Sequence, residues 1–380
     1  MIDLTISIVT FNSENFIKNC INSIIENTKE ISTEIIVVDN RSEDGTSKII
    51  KTYFPNVTLI ENRENVGFGR AHNQSFKISK GRYFLVLNPD TIIFPDTLNK
   101  MVKFMDENRN VGASGCKIFW DKENNFMFPD LKIHSLKTAI FQFTPFCRFF
   151  PNSMFSRWYW KSANILWDSD KPINVEGVTG GLIMLRREAF EAVGLFDENF
   201  FLFFEEHDLL RRIKKKGWEI YYLPEPKILH YFEESVRNSP IDINTVYNKS
   251  ALYYYEKHYK KFGYHFIKLL FKINKFLNKI DNYLKISYIH KNLQHKYPED
   301  GEFIIKWHKE EHVKKYLLEI SYSPEFAERG GMYTATNILS IKSDILKKLP
   351  NKTGFIRITP IYNGNKTGKI LKIIKISRIG

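Results

Sequence analysis

The sequence predicts an α/β protein with a mostly parallel sheet, continued by a basic helical segment and a small all-β domain. Three observations carry this. Short apolar runs alternate with helical patterns over the first hundred residues, which implies crossover units. A lysine-rich amphipathic stretch follows at about 259–298. Past Pro298 and Gly301 the pattern changes to short alternating runs with turn signals at Asn363-Gly364 and Thr367-Gly368. The expected segments are therefore 1–258, 259–298 and 299–380.

Each element follows from its local pattern. Residues 6–9, Ile-Ser-Ile-Val, read as a buried strand. Residues 12–27 have helical spacing, with Phe16, Cys20, Ile24 and Ile25 on one face. A second strand spans 34–39 and ends in Asp-Asn-Arg-Ser. Residues 47–54 read as helix, 57–61 as extended, 69–79 as helix, and 83–87 as a strand ending in Asn-Pro-Asp. Ligands of such sheets bind beyond the carboxyl ends of the strands, where loops and helix N-termini converge. Residues 117–175 are less regular and strongly aromatic, from Phe141 through Phe155 and Trp158 to Trp167. This insert reads either as an extension of the core or as an interfacial patch for a lipid-carried acceptor. Strand 180–186, helix 187–193, helix 208–216 and strand 219–223 follow.

From 247 to about 296 the pattern is helical and basic; residues 260–296 hold nine Lys and one Asp. Lys268, Lys272, Lys275 and Lys279 share one face, with Leu270, Ile273, Leu277, Ile280 and Leu284 roughly opposite. Two readings stand: a solvated strut, or a helix lying on an anionic membrane surface. The all-β tail has runs at 303–307, 316–322, 337–341, 354–362 and 369–376. It is similar, at low specificity, to a fibronectin type III-like sandwich.

Composition bounds the function. The chain has 380 residues, 43% hydrophobic and 26% charged, which excludes a disordered chain. The 56 Lys+Arg against 43 Asp+Glu leave a net charge of +13, favouring an anionic partner. A nucleic-acid partner is not expected, because no reading helix or RNA-binding motif accompanies the charge. Cys20, Cys116 and Cys147 are widely spaced and suggest neither a disulfide framework nor a metal cluster. No secretory signal or 18-residue apolar span is read, so a cytoplasmic protein is expected, peripheral at most on the inner face of the membrane.

Four polar clusters stand at strand ends or helix starts: Ser7-Ile-Val-Thr-Phe-Asn-Ser13, Val37-Val-Asp-Asn-Arg-Ser-Glu-Asp-Gly-Thr46, Asn65-Val-Gly-Phe-Gly-Arg-Ala-His-Asn73 and Leu85-Val-Leu-Asn-Pro-Asp90. Asp39 would accept hydrogen bonds from a base or ribose. Gly67 and Gly69 would let backbone approach a phosphate at a helix N-terminus. Further on come Gly180-Gly-Leu-Ile-Met-Leu-Arg-Arg, the acidic run Phe203-Phe-Glu-Glu-His-Asp-Leu-Leu, Gly217-Trp218 and Leu229-His230.

This ordered set, over about residues 4–232, resembles the family 2 glycosyltransferases, in particular their bacterial rhamnosyltransferase-like branch. The resemblance implies a GT-A fold, a Rossmann-like nucleotide half merged with an acceptor half. It also implies inverting transfer from a nucleotide-diphospho-sugar, with dTDP-L-rhamnose the best single donor and a UDP-hexose the alternative. The implied acceptor is a glycan or polyprenyl-linked glycan in cell-surface polysaccharide synthesis. By the same match Thr10, Asn12, Asp39, Asn40, Arg70, Asn73 and Asn88 surround the nucleotide. Asp90 and His230 hold a divalent cation, Mg2+ or Mn2+, and Gly180, Gly181 and Trp218 meet the acceptor. The family's Asp-x-Asp is Asn88-Pro89-Asp90 here, one anionic ligand fewer. Glu206 matches the catalytic base, with Glu205 and Asp208 in support. A homo-oligomer, or a partner bound through the C-terminal domain, is left open. So are a non-catalytic glycan- or membrane-binding scaffold and a nucleotide-binding regulator on the same fold.

Overall fold

The computed structural model describes residues 2–28, 30–128, 134–231, 242–284, 294–297, 302–321, 323, 326, 330–342, 353–363 and 366–378. Of the features read from sequence, Pro298, Gly301, Tyr322, Gly364 and the helical pattern over 285–293 lie outside these residues. The chain divides into two compact units. One comprises Met1–Phe119, Asp130–His134 and Ile165–Tyr264; the other Trp120–Pro129, Ser135–Asn164 and His265–Gly380. The expected segments are continuous stretches of chain, whereas these units are not. The basic helical segment is shared between the units, and most of the aromatic insert belongs with the β-rich tail.

The first unit is a three-layer α/β structure. Its strands are β1 (Leu4–Thr10), β2 (Thr33–Asp39), β3 (Thr58–Glu61), β4 (Tyr83–Leu87), β5 (Thr91–Ile93), β6 (Val111–Phe119), β7 (Ile173–Asn174), β8 (Leu182–Arg186) and β9 (Glu219–His230). They order as β3-β2-β1-β4-β8-β6-β9-β5, with β7 on β9. β1 to β4 pair in parallel, as do β6 and β9, whereas β8 and β5 run antiparallel to their neighbours. The sheet is thus mixed where a mostly parallel one was expected. β1 and β4 are buried along their whole length; β4 reads accordingly as an unbroken apolar run, whereas β1 buries Thr5, Ser7 and Thr10 among its apolar residues.

The helices α1 (Glu14–Asn27), α2 (Thr46–Tyr53), α3 (Phe68–Ile78) and α4 (Thr97–Glu107) connect the first strands. α1 buries Ile17, Cys20, Ile21 and Ile24; Ile25, expected on that face, is exposed. Strand order reverses between β1 and β4, because β2 and β3 lie to one side and β4 to the other. Sheets of this kind bind ligands at such a switch point, beyond the carboxyl ends of the strands.

The second unit combines α5 (Leu136–Phe143), α6 (Phe146–Phe149) and the start of α7 (Met154–Trp167) with eight strands among the described residues. β10 (Gln294–Tyr297), β12 (Val313–Ser321), β13 (Gly330–Thr334), β15 (Thr353–Tyr362), β16 (Lys366–Thr367) and β17 (Lys372–Arg378) form one sheet; β11 (Glu302–Lys306) and β14 (Ile338–Lys342) pair separately. The insert supplies core: Phe141 and Cys147 pack with Phe326, Phe355, Ile370 and Ile373. Arg357 donates to both oxygens of Glu319, 2.6 and 2.7 Å, with both side chains buried.

The remaining helices are α8 (Arg187–Ala192), α9 (Glu205–Lys215) and α10 (Ile243–Leu284), whose backbone breaks at Lys260. Among the described residues no helix is long and apolar enough to cross a membrane.

Candidate active site at the strand ends of the first unit

β2 and β1 end side by side, Thr10 opposite Asp39. Both are buried, and Thr10 donates to Asp39 Oδ1 at 2.7 Å. Ser42 Oγ donates to the same oxygen, and the Ser42 amide to Oδ2 at 2.9 Å. This clamp fixes the carboxylate at the sheet edge. Asn12 takes a positive φ of 51°; its amide donates to Ser42 Oγ and its Oδ1 accepts from the Glu43 amide. Asn40 donates to the Gly67 carbonyl and accepts from Asn62. Ser42 and Asn62 were not singled out in the sequence. A Ser three residues after a strand-ending Asp is a turn signal that points to the first of them.

Two strands along, a second cluster forms. At roughly 4.8 Å per strand it lies about 10 Å from Asp39, a nucleotide-sized span. Asn88 directly follows β4, and its amide donates to the Gly181 carbonyl just before β8. His230 ends β9 opposite Thr91. Its Nε2 lies 3.1 Å from Asp90 Oδ1 and 3.2 Å from Asn88 Nδ2, and Asp90 and His230 are both buried. One ring nitrogen cannot serve a carboxylate acceptor and an amide donor at once, so this constellation suits ligation to a cation. Among the described residues no three His, Cys, Asp or Glu group around a metal position. Asp90 and His230 are the residues of this cluster that could contact a cation.

Gly181 closes on this cluster: a Cβ there would stand 2.7 Å from His230 Nδ1. At the adjacent Gly180 a Cβ would stand 3.4 Å from Glu206 Oε1. Two successive glycines therefore separate His230 from Glu206. Glu205 and Glu206 open α9, and Oε2 of each is buried without a hydrogen-bond partner. Burial pushes the Glu206 carboxyl up to about 7. Burial, and then repulsion from Glu206, raises Glu205 well above the usual carboxylate range. Opposing this, the helix N-terminus favours the ionised forms.

The turn before α9 is strained. Phe203 and Phe204 both adopt φ 69°, a conformation costing about 1–3 kcal/mol for a residue with a side chain. α10 holds it there: Ser250 donates to the Leu202 carbonyl at 2.7 Å, and Tyr247 and Tyr254 pack on the Phe204 ring. His207 turns away from Glu206 onto the His134 ring, 3.9 Å between centroids, and burial keeps its pKa low.

Other predicted residues do not join this site. Gly67 and Gly69 open no phosphate cradle. A Cβ on Gly67 (φ 90°) would meet the Phe201 carbonyl at 2.5 Å, one on Gly69 the Phe196 side chain at 2.9 Å, and the Phe68 amide already donates to Phe201. Asn73 is consumed by the 196–198 loop, bonding the Phe196 carbonyl and amide and Glu198, while Arg70 pairs with Glu198 at 3.4 Å. Asp208 is fully buried, neutralised by Arg212 and Lys257 at 2.7 and 2.8 Å and hydrogen-bonded by His258 at 2.9 Å. It braces α9 against α10. Trp218 precedes β9, at the far end of the strand from His230, and lies over Gly112. Its side chain packs against the core of this unit.

An α/β sheet with polar clusters at its switch point and buried carboxylates beside them is the arrangement of a ligand-binding α/β fold. The Glycosyl transferase family 2 model matches residues 5–194, half of the chain, and the chain belongs to that family. It is a glycosyltransferase with a GT-A-like fold. It is 25% identical over 233 residues to the N-acetylglucosaminyl-diphospho-decaprenol L-rhamnosyltransferase of Mycobacterium tuberculosis, covering 58% of this chain and 74% of that protein. Over 113 residues it is 35% identical to the poly(ribitol-phosphate) beta-glucosyltransferase of Bacillus spizizenii, covering 28% of this chain and 18% of that one. Among solved structures it is similar to S. aureus TarS 1-349 in complex with UDP-GlcNAc: 15% identity, TM-score 0.46, 74% of this chain and 73% of that chain.

Proposed function

We propose that the protein moves a sugar, with inversion, from a nucleotide-diphospho-sugar to a hydroxyl of a lipid-linked or growing surface glycan. Glu206 accepts the proton of the attacking hydroxyl. That oxygen bonds to the anomeric carbon as the bond to the diphosphate breaks, its electron pair leaving with the nucleotide. Thr10, Asn12, Asp39 and Asn40 hold the nucleoside. Asp90 and His230, with Asn88 beside them, hold Mg2+ or Mn2+. A bound cation neutralises charge on the diphosphate. The observation that carries the reading is the run Asp90, His230, Gly181, Gly180, Glu206, in which each member touches or adjoins the next. In this reading Asp90 and Glu206 act from opposite sides of the two glycines.

The donor reading is dTDP-L-rhamnose, supported by the named activity of the mycobacterial relative; a UDP-hexose is the alternative, supported by the Bacillus one. We infer work at the cytoplasmic membrane face, because that mycobacterial relative is named for a decaprenol-linked acceptor. A fibronectin-like order for residues 299–380 remains part of this reading, as a module for glycan or partner binding. The test is a screen of nucleotide-sugars with Mn2+, reading released nucleotide in the presence of lipid-linked acceptors. Acceptor-dependent release from one donor supports the reading. Failure of every nucleotide diphosphate to bind would overturn it in favour of a scaffold.

A further inference from the structure

We infer that α10 docks the second unit on an anionic lipid surface. Over residues 265–284 this helix buries Ile267, Leu270 and Asp281, the last paired with Arg148. The opposite side carries an apolar stripe. Leu269, Phe276 and Tyr283 recur every seven residues and are 53%, 63% and 86% exposed. At 100° per residue a step of seven nearly closes two turns, so the three stand in one slightly drifting line. Lys268, Lys272, Lys275 and Lys279, all exposed, form a parallel row about 80° away. A second group of exposed apolar side chains, Phe150, Met154 and Phe155, belongs to the same unit. So much exposed large apolar surface marks an interaction site.

The charge pattern selects the occupant. A second copy would bring its own lysine row against this one. A neutral apolar partner would leave the lysines idle. An anionic bilayer takes both: the rings and Leu269 enter the headgroup boundary while the lysines meet phosphates. This deepens the membrane-face reading above, but rests on surface chemistry alone.

Co-sedimentation of the full chain with phosphatidylglycerol or phosphatidylcholine vesicles tests it without any turnover. Binding is expected to phosphatidylglycerol only, weakening as salt rises. Replacing Lys272, Lys275 and Lys279 by Gln should lower it about a hundredfold, since each lysine near such a surface gives roughly a fivefold gain. L269S/F276S should lower it comparably, and Gln at Lys48, Lys103 and Lys122 should leave it unchanged. Circular dichroism checks that each variant is folded. No vesicle binding, or equal loss with the control lysines, overturns the proposal. So does a concentration-dependent dimer that F276S abolishes while vesicle binding persists. Because nucleotide release is read separately, failure here leaves the transfer reading standing.

Discussion

Glu206→Gln separates the chemistry of the site from its stability. The wild-type carboxyl is raised from 4.5 to about 7 by burial. Sign and size follow from linkage. A raised acid favours folding while protonated, so its contribution is complete below pH 4.5 and is lost as pH climbs through 7. At 1.36 kcal/mol per unit the shift corresponds to about 3 kcal/mol; Glu206 keeps part of its surface open, so solvent trims this to about 2 kcal/mol. Gln is the same shape and never ionises. The variant should therefore match wild type in urea unfolding at pH 5 and exceed it by about 2 kcal/mol at pH 8.5. Turnover should fall by roughly 10²–10⁴ with donor affinity retained, because the base acts only in the transition state. In wild type, kcat/KM should rise with pH through an inflection near 7. A stability difference that stays flat from pH 5 to 8.5, or wild-type turnover in the variant, would refute the assignment of Glu206.

Three further outcomes follow from neighbouring contacts. G181A forces a Cβ to 2.7 Å from His230 Nδ1, and transfer should drop about a hundredfold with the unfolding midpoint little changed, since small misplacement at a reacting centre is costly. D90A should weaken Mn2+-dependent nucleotide binding, measured by calorimetry, by at least roughly tenfold. D208N removes a buried partner of two cations, Arg212 and Lys257, and of the His258 ring, and should cost about 3 kcal/mol in urea unfolding at pH 7. The Asp208 pKa is lowered, chiefly by His258 and Arg212 working against burial. Its stabilisation is therefore present above 3.8 and disappears as pH falls below that value, so the wild-type and D208N curves should converge under acid.

The legible elements were those whose burial is uniform. Strands β1, β2 and β4 are buried at their carboxyl ends, and each read within three residues of its observed bounds. β6 escaped notice because Val-Gly-Ala-Ser-Gly has neither bulk nor alternation. Its glycines exist to admit neighbours, Gly112 under Trp218 and Gly115 under Val178. The same packing accounts for the position of Trp218, whose ring closes over a glycine of the next strand. Gly67 and Gly69 are likewise closely approached. A glycine reports that something comes close, and here the visitor is the 196–201 loop rather than a phosphate.

His230 shows how tertiary pairing completes what local pattern cannot. The prolines at 224 and 226 end the strand pattern at 223, since proline cannot donate to a ladder. The pairing of β6 with β9 instead jumps from Cys116–Leu223 to Lys117–Lys227, leaving residues 224–226 as a bulge, and the strand resumes. Without that bulge the chain would leave the sheet seven residues before His230. With it, Leu229 and His230 pair with Ile92 and Thr91, and the imidazole arrives beside Asp90. The metal-type half of the site therefore depends on two prolines that carry no chemistry. The base-type half depends likewise on two phenylalanines held in a conformation suited to glycine. In both halves a backbone irregularity, paid for by packing on other strands and on α10, aims a polar side chain at the two glycines between them.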